Sequence, residues 1–195
     1  MRELNSIQER ILDKTLYLIG ITGSFNVPVR SIVKEASVNV SAINYYFGNK
    51  DNLLNEVKEF YIENTLSAYQ IVHNTALPPE ERLIIASNEI MEYAIRYPGI
   101  LVILKEARKN RSLNPLDEKI LNITENLNLK LVSLLGDILN TSEEDLSFKN
   151  TVFMSSLLYP LLNREPVGYR NTDLSNRDKR IKYIKMLLKQ LKVGK

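Results

Sequence analysis

Between Val29 and Lys50, two apolar stripes too short to be stable alone are separated by only three residues. Val29, Ile32, Val33 and Ala36 recur at the i, i+3, i+4, i+7 spacing of a buried helix face. Ser37-Val38-Asn39 breaks that helix. Ile43 and Phe47, four apart, then define another over roughly Val40 to Phe47, closed by Gly48-Asn49, which tolerate the left-handed conformation of a helix terminus. So short a break forces the two helices to cross steeply and pushes the second one outward. Its outer side carries Asn39, Val40, Ser41, Ala42 and Asn44, where a core helix would carry Leu or Phe. Small and amide side chains let a backbone approach base edges. Tyr45, Tyr46 and Lys50 gather at the far end, where hydroxyl and ammonium groups can hold phosphates. This is the grammar of a helix-turn-helix, whose second helix enters the major groove of DNA. The plainer alternative is an amphipathic hairpin with ordinary caps.

Helical periodicity also governs the rest, and no segment sustains the period-2 alternation of a strand. A first helix over about Ser6 to Ile21 has an apolar face of Ile7, Ile11, Leu12, Thr15, Leu18 and Ile19 and is stopped by Gly23. After Lys50, helices are expected over about Lys50 to Asn74, Pro79 to Arg96, Pro98 to Lys109 and Asn114 to Leu139. A capping box of Thr141 and Glu144 opens another, reaching about Asn163 with Pro160 kinking its last turn. A loop rich in Pro, Gly, Asn and Asp covers 164–175, and a final helix runs from Ser175 to about Val193. The reading is an all-α chain of about nine helices. Residues 1–50 form a three-helix DNA-binding domain, and residues 51–195 a larger helical domain for ligand sensing and dimerisation.

Composition narrows the function classes. There is no Cys, which removes disulfides and thiolate metal sites, and His73 is the lone His, with no Ser, Cys or metal-ligand partner at motif spacing. Phosphate-cradling glycine loops are missing and the acidic residues scatter over helix surfaces, so the chain is read as no enzyme and as needing no cofactor and no metal. No apolar run approaches the roughly 18 residues of a membrane span, and charges interrupt the N-terminus where a signal peptide would be apolar. A cytoplasmic protein without membrane partners is the simplest reading. Charge is uneven: residues 1–50 carry six Lys/Arg against four Asp/Glu, residues 51–163 ten against sixteen, and residues 164–195 ten against three. An acidic middle between basic ends suits a protein that meets DNA with part of its surface.

The residues from Arg10-Ile11-Leu12 through Gly23, Val29-Arg30-Ser31-Ile32 and Ala36-Ser37-Val38, on to Ser41, Ile43, Tyr46-Phe47, Asn49-Lys50-Asp51 and Leu53, resemble the N-terminal domain of TetR/AcrR-type transcriptional regulators. Three positions depart from that pattern. Ser37 stands where the family usually has a turn glycine, which implies either backbone strain or a slightly different turn geometry. Pro28 replaces a common Ser or Thr, and Phe25 lies one place later than usual after Gly23. The resemblance implies a repressor that binds a palindromic double-stranded DNA operator as a homodimer and is released by a small-molecule effector. Arg30 would reach a phosphate or guanine edge, and Asn39, Val40, Ser41, Ala42 and Asn44 would face bases. Asn44 is the best candidate for direct readout, since an amide pairs in bidentate fashion with adenine. Tyr45, Tyr46 and Lys50 would fix register on the backbone, with packing on the first helix as the alternative for Tyr45.

For the larger domain the carry-over is architectural. Val152, Phe153, Leu157 and Leu161, with Ile181, Ile184, Leu188 and Leu191 of the last helix, are the dimer candidates, unless they simply close the monomer core. The basic residues Arg177, Lys179, Arg180, Lys182, Lys185 and Lys189 read as the solvated face of the last helix. Tyr61, Asn64, Tyr93, Tyr97, Arg108 and Asn128 are the candidate lining of a largely apolar effector pocket. A rival reading is an all-helical small-molecule carrier or interaction protein whose N-terminal hairpin is only structural.

Overall fold

Local chemistry sets several of the helix ends. A computed structural model describes residues 6–111, 113–162 and 174–192, apart from the side chains of residues 161 and 162. All regular elements among them are helical: α1 (Ile7–Thr22), α2 (Val29–Glu35), α3 (Ser41–Phe47), α4 (Lys50–His73), α5 (Pro79–Arg96), α6 (Ile100–Lys109), α7 (Pro115–Leu139), α8 (Glu143–Leu162) and α9 (Arg177–Lys192). At the start of α1, the Ser6 hydroxyl accepts from Glu9 N while the Glu9 carboxylate accepts from Ser6 N, a full capping box. Gly23, at φ 63°, ends the helix in the left-handed region.

Most helix limits lie within two residues of the expected ones, and two caps differ from expectation. Ser142, not Thr141, caps α8 by accepting from Asp145 N, because its hydroxyl is the one three residues before an orphan donor. Asn49, expected only to close α3, also caps α4 by accepting from Asn52 N at 2.8 Å. The loop expected over 164–175 lies outside the described residues up to 173.

The chain divides into two compact units, Met1–Thr65 with Arg96–Thr124, and Leu66–Ile95 with Glu125–Lys195. In the first, α1 buries Ile11, Leu12, Leu16 and Ile19, and α4 contributes Leu53, Val57, Phe60 and Ile62 to the same unit's core. Ile7, expected inside, is 43% exposed, and Leu16 is buried in addition. Gly20 and Gly99 let α1 meet the turn before α6 backbone to backbone. A Cβ at Gly20 would lie 2.5 Å from Pro98 Cγ and 2.6 Å from Gly99 N. Lys58 and Asp117 form an ion pair at 2.8 Å, with side chains 6% and 0% exposed.

In the second unit Leu83, Met91, Leu131, Leu135, Phe153, Leu157, Ile184 and Leu188 are buried. Arg180 is the exception to the reading of α9's cations as mostly solvated. It is buried, with its guanidinium donating to Asn88 Oδ1 (3.0 Å), to the carbonyls of Leu174 (3.0 Å) and Ser175 (2.7 Å), and to Glu92 Oε2 (2.7 Å). Five N–H groups in a rigid fork suit this many acceptors, which a lysine could not serve. Replacing Arg180 by Ala leaves Asn88 Oδ1 and two carbonyls short of a donor. It should cost about 3 kcal/mol in urea denaturation. A loss near zero would mean that the network contributes nothing to folding.

Candidate nucleic-acid interface

The geometry of α2 and α3 follows from their turn. Val38 N donates to Val33 O at 3.0 Å and Ser37 N to Lys34 O at 3.2 Å, the bond pair of a Schellman motif with Ser37 in the left-handed position. Ser37 has φ 53°, so the strain expected of a serine in a glycine position is present. Gly48, at φ 77°, performs the corresponding break after α3. The amide of Asn52 donates to Phe47 O at 2.9 Å and ties the end of α3 to α4.

These turns split α3 into two faces. Ile43 and Phe47 are buried, as expected. Asn39, Val40, Ser41, Asn44 and Tyr45 are exposed, together with Arg30 of α2, while Ala42, Tyr46 and Lys50 are half-buried. Tyr45 is 81% exposed, which argues against packing on α1. Its ring meets Tyr46 edge to face at 4.8 Å. Lys50 Nζ donates to Asn26 Oδ1 at 2.7 Å and so tethers the loop between α1 and α2. Sequence reading had no sign of that tether, whose partners lie 24 positions apart. The outward set combines amides, hydroxyls and cations on a rigid element, which can reach both base edges and phosphates.

The candidate pocket residues are dispersed. In the first unit Tyr61 and Tyr97 are buried and Asn64 is half-buried, its amide donating to Phe60 O at 2.8 Å. Burial raises the Tyr61 phenol above its ordinary range, opposed by its hydrogen bonds with Thr124 and Thr65 and by Arg108. Burial likewise pushes Tyr97 up to about 12, with Arg96 opposing and Asp13 adding to the rise. Both phenols are therefore held protonated at neutral pH. Tyr93 is buried in the second unit. Arg108 and Asn128 are exposed.

The dimer candidates divide in the same way. Phe153, Leu157, Ile184 and Leu188 close their own unit's core. Val152 is 53% exposed, Ile181 and Leu191 are half-buried, and the Leu161 side chain lies outside the description. Phe148, Ser155 and Tyr159, which sequence reading left out, are exposed with Val152 along one side of α8 at i, i+4, i+7, i+11 spacing. His73 stacks on Tyr69 at 4.1 Å between ring centroids. Among the described residues no three His, Asp or Glu gather to hold a metal, and no helix is long and apolar enough to cross a membrane.

Residues 11–57 match the family described as bacterial regulatory proteins, tetR family. An HTH-type transcriptional regulator encoded in the dhlA 5' region of Xanthobacter autotrophicus is 33% identical over 63 residues, 32% of this chain and 31% of that protein's length. The ketosteroid transcriptional regulator KstR2 of Mycobacterium tuberculosis has a similar fold, with a TM-score of 0.72 at 16% identity over 96% of both chains. The regulator FadR of Bacillus subtilis, solved in complex with stearoyl-CoA, gives 0.55 at 17% identity over 95% of this chain and 98% of its own.

The strained turn makes one expectation quantitative. Replacing Ser37 by Gly removes a left-handed penalty of about 1–2 kcal/mol but restores about 0.5–1 kcal/mol of unfolded-state entropy. The variant should unfold at a slightly higher urea concentration than wild type, and a lower one would show that the serine hydroxyl contributes more than its backbone costs.

Proposed function

We propose that this chain, whose residues 11–57 match the tetR family, is a DNA-binding transcriptional regulator: a dimeric repressor, released from a palindromic operator by a small-molecule effector. The observation that carries the proposal is the two-sidedness of α3. Its inner residues Ile43 and Phe47 are spent on the core, while Ser41, Asn44 and Tyr45 on its other side are exposed, as is Arg30 of α2. In this reading residues 1–50 read DNA while 51–195 sense ligand and dimerise. Arg30 and Asn44 face bases along with Asn39, Val40, Ser41 and Ala42, while Tyr45, Tyr46 and Lys50 hold phosphates.

Support for an effector comes from the two structural relatives, one named for ketosteroid regulation and one holding stearoyl-CoA. In the first unit Tyr61 and Tyr97 are buried phenols, and a largely apolar ligand with a few polar handles is the kind of effector they suit. Support for a dimer comes from the stripe of Phe148, Val152 and Tyr159 on α8, with Met186 of α9 49% exposed. An aromatic and aliphatic stripe of this kind is the composition of an interface centre. Two-fold pairing would set two α3 helices on successive major-groove faces.

Selection from a random duplex library tests the DNA reading directly. The wild type should enrich one pseudo-palindrome. Asn44→Ala should relax base preference at one position of each half-site, at about 1–3 kcal/mol. Lys50→Ala should weaken all duplexes alike and reduce the salt slope by about 1. Identical behaviour of the two variants would sink this assignment of roles, and operator complexes that no apolar small molecule releases would remove ligand control. For the dimer, Val152→Glu should give a folded monomer in sedimentation, because the site is exposed and the charge would be buried only on pairing. A variant that still sediments as a dimer would place the interface elsewhere.

A further inference from the structure

The buried ion pair between α4 and α7 is costly for what it does for stability. Lys58 Nζ and Asp117 Oδ2 are 2.8 Å apart and both side chains are almost fully removed from water. The second carboxylate oxygen, Asp117 Oδ1, is buried without a hydrogen-bond partner among the described residues. Two apolar residues of the same volume would serve folding as well or better, since desolvating such a pair offsets most of its attraction. Stability therefore does not account for it, and geometry does. An apolar side chain slides along its neighbours, whereas an ammonium gripped by one carboxylate oxygen is held at a point.

What that point touches is the head. Lys58 Nζ lies 5.4 Å from the ring centroid of Phe25, in the loop that joins α1 to α2. Phe25 is half-buried, and the chain runs from it through the buried Val27 and the rigid Pro28, at φ −65°, into the first turn of α2, which carries Arg30. Asp117 is itself fixed in the first turn of α7, its N–H donating to Asn114 O at 3.1 Å, at the helix end where a carboxylate is favoured. The loop's other tether to α4, Lys50 to Asn26, is exposed and belongs to a residue whose proposed partner is phosphate.

We propose that Lys58 is a positioning residue for DNA reading: clamped by Asp117, its ammonium holds the Phe25 ring and so sets the α1–α2 loop, and α2 with Arg30, in the orientation that binds DNA. The proposal rests on the reading of α2 and α3 as a DNA-binding pair. Without the clamp the loop samples other positions, and affinity falls in proportion to the fraction of molecules left in the competent one.

The test uses the full chain and the duplex that wild type selects from a random library. In the double variant Lys58→Met with Asp117→Leu, both charges go together. We expect an unfolding midpoint close to wild type, affinity for that duplex lower by about tenfold, and an unchanged salt slope, because no phosphate contact is lost. Wild-type affinity at wild-type stability overturns the proposal, as does a reduced salt slope, which would make Lys58 a direct phosphate contact. Phe25→Leu leaves the ion pair in place and removes only the aromatic face. It should weaken binding about threefold, again at constant slope, and wild-type affinity in that variant overturns the proposal even if the double variant fails to fold. Failure of the wild type to select any duplex overturns the underlying reading instead, and this proposal with it.

Discussion

Two helices of seven residues cannot hold themselves in water, and the head is built around that constraint. Each of α2 and α3 supplies two buried side chains and must borrow the rest of its stability from its neighbours, which is why α1 is capped at its start and stopped by a left-handed glycine. Their junctions are over-determined for the same reason. A Schellman pair closes α2, Gly48 and Asn52 close α3, and Asn49 opens α4 within a residue of that closure. The strain accepted at Ser37 fits this scheme, since only a junction fixed from both sides keeps a serine in the left-handed region.

Features set by short-range chemistry were legible in the sequence. Gly23, Pro79, Pro115 and Gly48 act within a few residues, so helix limits fell within about two residues of those expected. The inner face of α3 was equally legible, because Ile43 and Phe47 at i and i+4 can share only one side of a helix. What stayed hidden were partners far apart in the chain. Lys58 and Asp117 are separated by 59 positions, Arg180 and Glu92 by 88. A lysine or arginine awaiting such a partner looks like any surface cation until the fold brings in its acceptor.

The faces of α8 and α9 were ambiguous for another reason. Phe153, Leu157, Ile184 and Leu188 have the right period and the right character for an interface, but period only says that they share a side. It does not say whether that side turns toward the chain's own core or toward a second copy. Burial answers with the first, and the residues left outside, Phe148, Val152 and Tyr159, are mixed with Ser155 and so read as a weaker stripe. Large apolar residues on a helix apolar on more than one side go first to the core that folds the monomer.

In the proposed reading, folding and recognition lie on opposite sides of one short helix, α3, and this division explains why family and target are unequally readable. The inner side answers to α1 and α4, so its residues are constrained in size and spacing, and that spacing is what matches the family over residues 11–57. The outer side is exposed, so packing constrains the identities of Ser41, Asn44 and Tyr45 less than those of Ile43 and Phe47. Base readout needs that freedom in side-chain identity but none in position, since a bidentate contact fails with small displacement. A head of this kind therefore needs its rigidity supplied from behind, by the turns, by α4 and by the charges buried beneath the α1–α2 loop.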